Sequence, residues 1–183
     1  MDREPMTPTQ AIYWRRKRHL AFKVRIRLLI SLICTAAVAL ILFGVVFGIA
    51  DISGNSMHPA LASGDWILFS RIGGYGAGDI VILKVDGQQN TDEYIKRVVG
   101  VPGDTLDIDG AGHVLVNGSI LTEPYAMGYT DQKSYIKYPL ALQKDEYFVL
   151  GDNRENSLDS RNYGPIKGGD IIGKEKIIIR IGK

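Results

Sequence analysis

With a single cysteine and three histidines in 183 residues, the chain has no means of building an internal disulfide and few candidates for a histidine base. Cys34 is the only thiol and lies inside an apolar run. A domain exported without disulfides is held by its core alone, which fits a bacterial cell surface better than a small disulfide-rich secreted fold. His19 belongs to a basic N-terminal segment, His58 is two residues from a serine on a shared backbone, and His113 precedes an alternating strand. None is placed as the partner of a nucleophile. Repeats, low-complexity tracts and a break between two soluble domains are also missing.

What the chain does have is a long uncharged stretch. Leu28 to Ala50 is 23 residues without a charge, about 35 Å of helix and enough for a hydrocarbon core of roughly 30 Å. A cleavable signal peptide also has a basic start, but its apolar core is shorter, roughly 7–15 residues. A retained anchor is the expectation. Before Leu28 there are eight Lys/Arg against two acids, and after Ala50 fourteen against eighteen. That asymmetry keeps the N-terminus in the cytoplasm and sends the acidic end across. It predicts a single-pass protein of the plasma membrane: a basic cytoplasmic segment at 1–27, a transmembrane helix at 28–50 and an extracytoplasmic β-rich domain at 51–183. Next to a spanning segment, the basic cluster does not point to nucleic acid.

Beyond the anchor, "DWILFSRI", "GDIVILKV", "EYIKRVVGV", "HVLVNG", "EYFVLGD" and "GKEKIIIRI" are short runs rich in β-branched and aromatic residues, punctuated by glycine-containing turns. Asp86-Gly87, Asp109-Gly110 and Asn117-Gly118 are hairpin-type dipeptides. The predicted fold class is mainly β, an antiparallel sheet curled into an open barrel or sandwich. Thr122 to Lys144, with Pro124, Gly128 and Pro139, reads as a structured excursion from it.

Ser56, in "ISGNSMHPAL", comes six residues after the apolar run, so the chain holds its hydroxyl within about 20 Å of the membrane interface. A serine becomes a nucleophile only with an activating base. In "EYIKRVVGVPGD", alternation puts Tyr94, Lys96 and Val98 on one strand face and Ile95, Arg97 and Val99 on the other. If the first face is buried, desolvation lowers the Lys96 pKa toward that of a neutral base; if it is solvated, Lys96 is an ordinary surface charge. The loop "GDNRENSLDSRNYG" is dense in groups that hydrogen-bond backbone and each other. Asp159 and Arg161 there are a candidate charge-assisted pair, and Ser157 is a candidate to orient a lysine amine.

Taken in order, "SGNSMHPAL", "GDIVIL", "YIKRVVGVPGD" and "GDNRENSLDSR" resemble the sequence boxes of bacterial type I signal peptidases, membrane-anchored Ser/Lys proteases that remove signal peptides from exported preproteins. The forty-residue step from Ser56 to Lys96 is similar to the compact Gram-positive members. The resemblance implies Ser56 as nucleophile, Lys96 as general base, Ser157 as the lysine's hydrogen-bond partner, and Asp159 with Arg161 as a supporting ion pair. It also implies a mainly antiparallel β catalytic domain, no metal or cofactor, and cleavage after small-x-small sites. Matching positions would set Ile52, Met57, Leu61, Tyr94 and Ile95 against the signal peptide, although each reads equally well as core. The implied partners are signal peptides of secreted preproteins, the lipid bilayer and the secretion translocon.

Two departures stand out. Some relatives carry a serine two positions before the nucleophile as an oxyanion donor, where this chain has Gly54; Ala77 stands where an arginine often precedes Gly78-Asp79. The rival readings are a self-cleaving Ser/Lys protease and a non-catalytic, membrane-anchored assembly chaperone of signal-peptidase-like form.

Overall fold

The computed structural model describes residues 8–86, 91–133 and 136–180. Asp2, Arg3 and Glu4 of the basic segment, Gly87 of the first hairpin dipeptide and Ile181 of the last apolar run lie outside the described residues. The chain divides into two units, residues 1–45 and 46–183.

The first unit is helical. Helix α1, Pro8–Val46, carries its charges in the first half and is apolar on every side from Leu28 onward, with Leu28, Leu32, Leu40 and Ile41 all exposed. A helix apolar all round finds its match in hydrocarbon rather than water. It is the one helix among the described residues long and apolar enough to cross a membrane, as in a single-pass membrane protein.

The helix was expected to reach Ala50 but ends at Val46, and Phe47–Asp51 form strand β1. Arg71 accounts for the change: its backbone N–H donates to Val46 O at 2.8 Å and its guanidinium donates to Phe47 O, so these carbonyls serve a neighbouring strand. Gly48 lets β1 lie close, since a Cβ there would sit 2.3 Å from the Phe69 ring.

The second unit is mainly β. It contains β2 (Trp66–Ser70), β3 (Ile80–Asp86), β4 (Thr91–Gly100), β5 (Thr105–Ile108), β6 (Val114–Val116), β7 (Ser119–Ile120), β8 (Leu140–Ala141), β9 (Glu146–Leu150), β10 (Ile166–Lys167) and β11 (Ile171–Ile179), with a short α-helix, α2 (Ser160–Tyr163), before β10 and two 3-10 turns, Arg154–Asn156 and Gly168–Asp170. A seven-stranded sheet has the order β1-β2-β11-β3-β4-β9-β10, and a four-stranded sheet the order β7-β6-β5-β8. Every strand pairing within the sheets is antiparallel. The six apolar runs read from the sequence correspond to β2, β3, β4, β6, β9 and β11.

At the β6–β7 hairpin, Asn117 and Gly118 both take positive φ, 53° and 79°, as an Asn-Gly turn demands. In the β5–β6 connection the positive φ falls on Gly112 rather than Gly110, because Asp109 folds the loop around itself by accepting from Ala111 N and His113 N.

Alternation sorts the side chains into separate cores. Ile67 and Phe69 of β2 face inward with Ile80, Ile82 and Ile95, whereas Tyr94 and Val98 of β4 join Val81, Leu83 and Val149 on the opposite face. The outer face of β1-β2-β11 is left uncovered. Register aligns Ile49, Leu68 and Ile177 in one row and Trp66 with Ile179 in the next, and Ile49 (62%), Ile177 (54%) and Trp66 (40%) are exposed.

Candidate active site

Ser56 is carried on the loop between β1 and β2. That loop is closed by Ile52 N donating to Asp65 O and Gly64 N to Ile52 O, both 2.9 Å. It is pinned to the core by Ile52, Met57 and Leu61, all buried against Ile67, Phe69, Ile80 and Ile82. Burying three such side chains contributes about 1.5–3 kcal/mol each. The serine is thus presented from a rigid loop.

Lys96 comes from the middle of β4, opposite Val81 of β3. Its side chain is only 2% exposed. The amine donates to Ser56 Oγ at 2.9 Å and to Ile95 O at 2.9 Å, and lies 5.4 Å from the centre of the Tyr94 ring. Desolvation pushes the Lys96 ammonium down to about 8, against the opposing pull of Asp159 and Asp152. No carboxylate pairs with it among the described residues. A buried lysine in that state is neutral for a sizeable fraction of the time near pH 8, and its lone pair then accepts a proton from the hydroxyl it faces.

The Gly151–Gly164 loop braces this arrangement. Asn153 N donates to Ser56 O at 2.9 Å and its side-chain amide to Asn55 O at 3.2 Å. Asp159 caps α2, accepting from Arg161 N while the Asn162 side chain accepts from Asp159 N. The Asp159 carboxylate takes two bonds from the Arg161 guanidinium, 2.8 and 2.9 Å, and one from Gly151 N, 3.0 Å. Both partners are buried.

Two further buried pairs were not separated out by sequence reasoning. Arg97 grips Asp152 through two bonds, 2.8 and 2.7 Å, and Arg154 reaches Glu123 and Thr130 in the excursion after β7. Their partners are distant in sequence, so alternation and local motif gave no signal for either.

Ser157 behaves differently from expectation. Its Oγ is buried and has no hydrogen-bond partner among the described residues; the Lys96 amine is engaged by Ser56 and Ile95 instead. Gly151 explains the crowding: a Cβ there would lie 2.2 Å from Ser157 Oγ and 2.6 Å from Ser56 O. Ser157 is therefore packed against the backbone of Gly151, which also lies beside Ser56 O.

A cavity of about 100 Å³ opens at the Ser56–Lys96 pair, with Ala50, Asp51 and Ser53 on one wall and Ile82, Glu93, Tyr94 and Ile95 on the other. Tyr94 and Ile95, expected at the substrate, line it. Ile52, Met57 and Leu61 do not; they lie in the core beneath. Asp51, Ser53 and Glu93 were missed, since nothing in their spacing marks them. His58 is exposed, and His113 is taken by Asp109 at 2.9 Å. Among the described residues no group of His, Cys, Asp and Glu has the makings of a metal site.

The family model described as signal peptidase, peptidase S26, matches residues 25–180. The chain is 31% identical over 160 residues to signal peptidase I P of Bacillus subtilis subsp. natto, covering 81% of this chain and 84% of that one. It is 32% identical to signal peptidase I of Bacillus amyloliquefaciens, covering 81% of each. A crystal structure of a signal peptidase I from Enterococcus faecalis V583 aligns with a TM-score of 0.45 at 27% identity, over 56% of this chain and 97% of that one.

Proposed function

The chain belongs to the signal peptidase family, peptidase S26, and on that premise we propose that Ser56 is its nucleophile and Lys96 its general base. As a member it is a membrane-bound serine endopeptidase that cleaves signal peptides with a Ser/Lys dyad. The observation that carries the residue assignment is the buried, carboxylate-free Lys96 amine 2.9 Å from Ser56 Oγ.

Neutral Lys96 takes the Ser56 proton as Oγ attacks the carbonyl carbon of the scissile bond. The resulting ammonium hands that proton to the departing amide nitrogen as the C–N bond breaks, leaving an acyl-enzyme on Ser56. Water, deprotonated by the same amine, then releases the signal peptide. Asp159 with Arg161 fixes the loop behind the dyad, and Ser157 supplies a spare hydroxyl to the amine once substrate has entered. Ser56 N–H is the backbone oxyanion donor.

The cavity at the dyad is small, about 100 Å³, which supports cleavage after small residues. Tyr94 and Ile95 form part of its wall, while Ile52, Met57 and Leu61 anchor the Ser56 loop to the core. The exposed edge of β1 offers backbone groups to an extended peptide.

The positive balance before Leu28 supports a cytoplasmic N-terminus and an extracytoplasmic peptidase domain. The apolar outer face of β1-β2-β11 suits contact with lipid, with Trp66 at the interface. Preproteins then arrive from the secretion translocon at an enzyme tethered where their cleavage sites emerge.

The test is cleavage of a labelled preprotein bearing Ala-x-Ala by the full-length protein in lipid, beside Ser56→Ala and Lys96→Arg. Wild-type cleavage with both variants reduced at least roughly a thousandfold is the expected result. Near-normal turnover by Lys96→Arg, whose guanidinium stays charged, overturns the assignment.

A further inference from the structure

The Ser56 loop borders two cavities of opposite character. The one at the dyad carries two carboxylates, Asp51 and Glu93, among its walls. The other, about 370 Å³, is lined by Asn55, His58, Ala62, Ser63, Asn153 and Asn156, with no carboxylate and no lysine or arginine. The two share no lining residue, and Asn55 of the second is the chain neighbour of Ser56 in the first.

Their relation to the scissile bond follows from the chemistry. The peptide side that becomes the acyl group must occupy the dyad cavity, because its carbonyl carbon bonds to Ser56 Oγ there. The departing half has to continue past Ser56, and the residues flanking the serine away from the dyad cavity are those of the second one. Its shape is maintained by the backbone link from Asn153 to Ser56 O and the side-chain link from Asn153 to Asn55 O. The first ties its wall directly to the nucleophile, and the second joins two of its walls to each other.

We propose that the Asn55–His58–Ser63–Asn153–Asn156 cavity is a specificity subsite for the first residues of the mature protein, selecting hydrogen-bonding side chains, above all carboxylate and carboxamide. The amides of Asn55 and Asn156 and the Ser63 hydroxyl are donors a carboxylate or carboxamide oxygen accepts, and no like charge opposes an acid. An aliphatic side chain makes no hydrogen bond with those donors and leaves them to water. On the dyad side the sign is reversed: Asp51 and Glu93 disfavour an acidic side chain. This rests on the Ser56–Lys96 reading.

The experiment uses full-length protein in detergent with Ala-x-Ala peptides carrying Asp, Gln, Leu or Lys at each of the first three positions after the cut. At one of those positions Asp and Gln exceed Leu in kcat/KM by about fivefold, the effect of roughly one hydrogen bond, and Asn156→Ala and Ser63→Ala each bring that ratio toward one. Both are exposed positions, and circular dichroism checks that the variants fold. A flat profile in the wild type, or a preference both variants retain, overturns the subsite while leaving the dyad intact. Cleavage of no peptide in the set overturns the dyad reading and the subsite with it.

Discussion

Two neighbouring regions treat buried cations in opposite ways. Around the Gly151–Gly164 loop, each buried or half-buried guanidinium meets a carboxylate: Arg97 with Asp152, Arg154 with Glu123, Arg161 with Asp159. One residue along β4 from Arg97, Lys96 is buried with a hydroxyl and a carbonyl for company. The paired region has spent its charges on rigidity, and the unpaired lysine keeps a titratable amine beside a nucleophile. A carboxylate on Lys96 would hold it as an ammonium, useless as a base; a guanidinium without one would be a charge that cannot neutralise.

The largest effect comes from breaking the paired region. Asp159→Asn keeps the size and the helix cap but strips the countercharge from buried Arg161, and should cost about 3–5 kcal/mol, read as a large drop in urea midpoint. Because the Asp159 charge raises the Lys96 pKa, whatever activity survives should have its alkaline rise displaced to lower pH. An unfolding free energy within about 0.5 kcal/mol of wild type would mean the pair is no more than a surface-like contact.

How much of this could be read from the chain depends on the range of the interaction. The strand alternation at Tyr94–Lys96–Val98 and the Asn117-Gly118 turn are local, and both are present in the structure. β5 escaped notice because Thr105–Ile108 is too short and too polar to stand out, and β1 because its residues continue an apolar run that reads as helix until Arg71 claims its carbonyls. At the site, spacing offered Ser56 and Lys96 as candidates; the 2.9 Å contact depends on packing forty residues apart. Ile52, Met57 and Leu61 show the limit in reverse. Apolar residues beside a nucleophile read as pocket or core alike, and tertiary packing assigns them to the core.

Removing the unpaired charge gives the next effect. The Lys96 pKa of about 8 lies below the 10.5 of a free lysine, so below pH 8 folding must bury an ammonium that the unfolded chain keeps solvated. The unfolded state binds more protons between pH 8 and 10.5, and stability rises across that window. Lys96→Met should therefore be inactive yet more stable at pH 7, by up to about 3 kcal/mol, with the advantage shrinking as pH approaches 10.5. Activity of the wild type runs the same way, climbing to a plateau above about pH 8 as the amine becomes neutral. A wild-type pH–rate profile flat from 6 to 10 would remove Lys96 from the role of base.

Ser157→Ala probes the smallest difference between the regions, a hydroxyl that neither of them uses. Its Oγ is buried with no partner among the described residues, so deleting it costs no existing hydrogen bond and relieves a desolvated oxygen. Stability should stay within about 1 kcal/mol of wild type. If the hydroxyl serves the amine only when substrate is bound, kcat should still fall, by about five- to tenfold for one hydrogen bond made during turnover, with KM little altered and Ser157→Thr recovering part of the loss. An unchanged kcat would make Ser157 a spacer packed against Gly151, and the dyad would then work on Ser56 and Lys96 with no third hydroxyl.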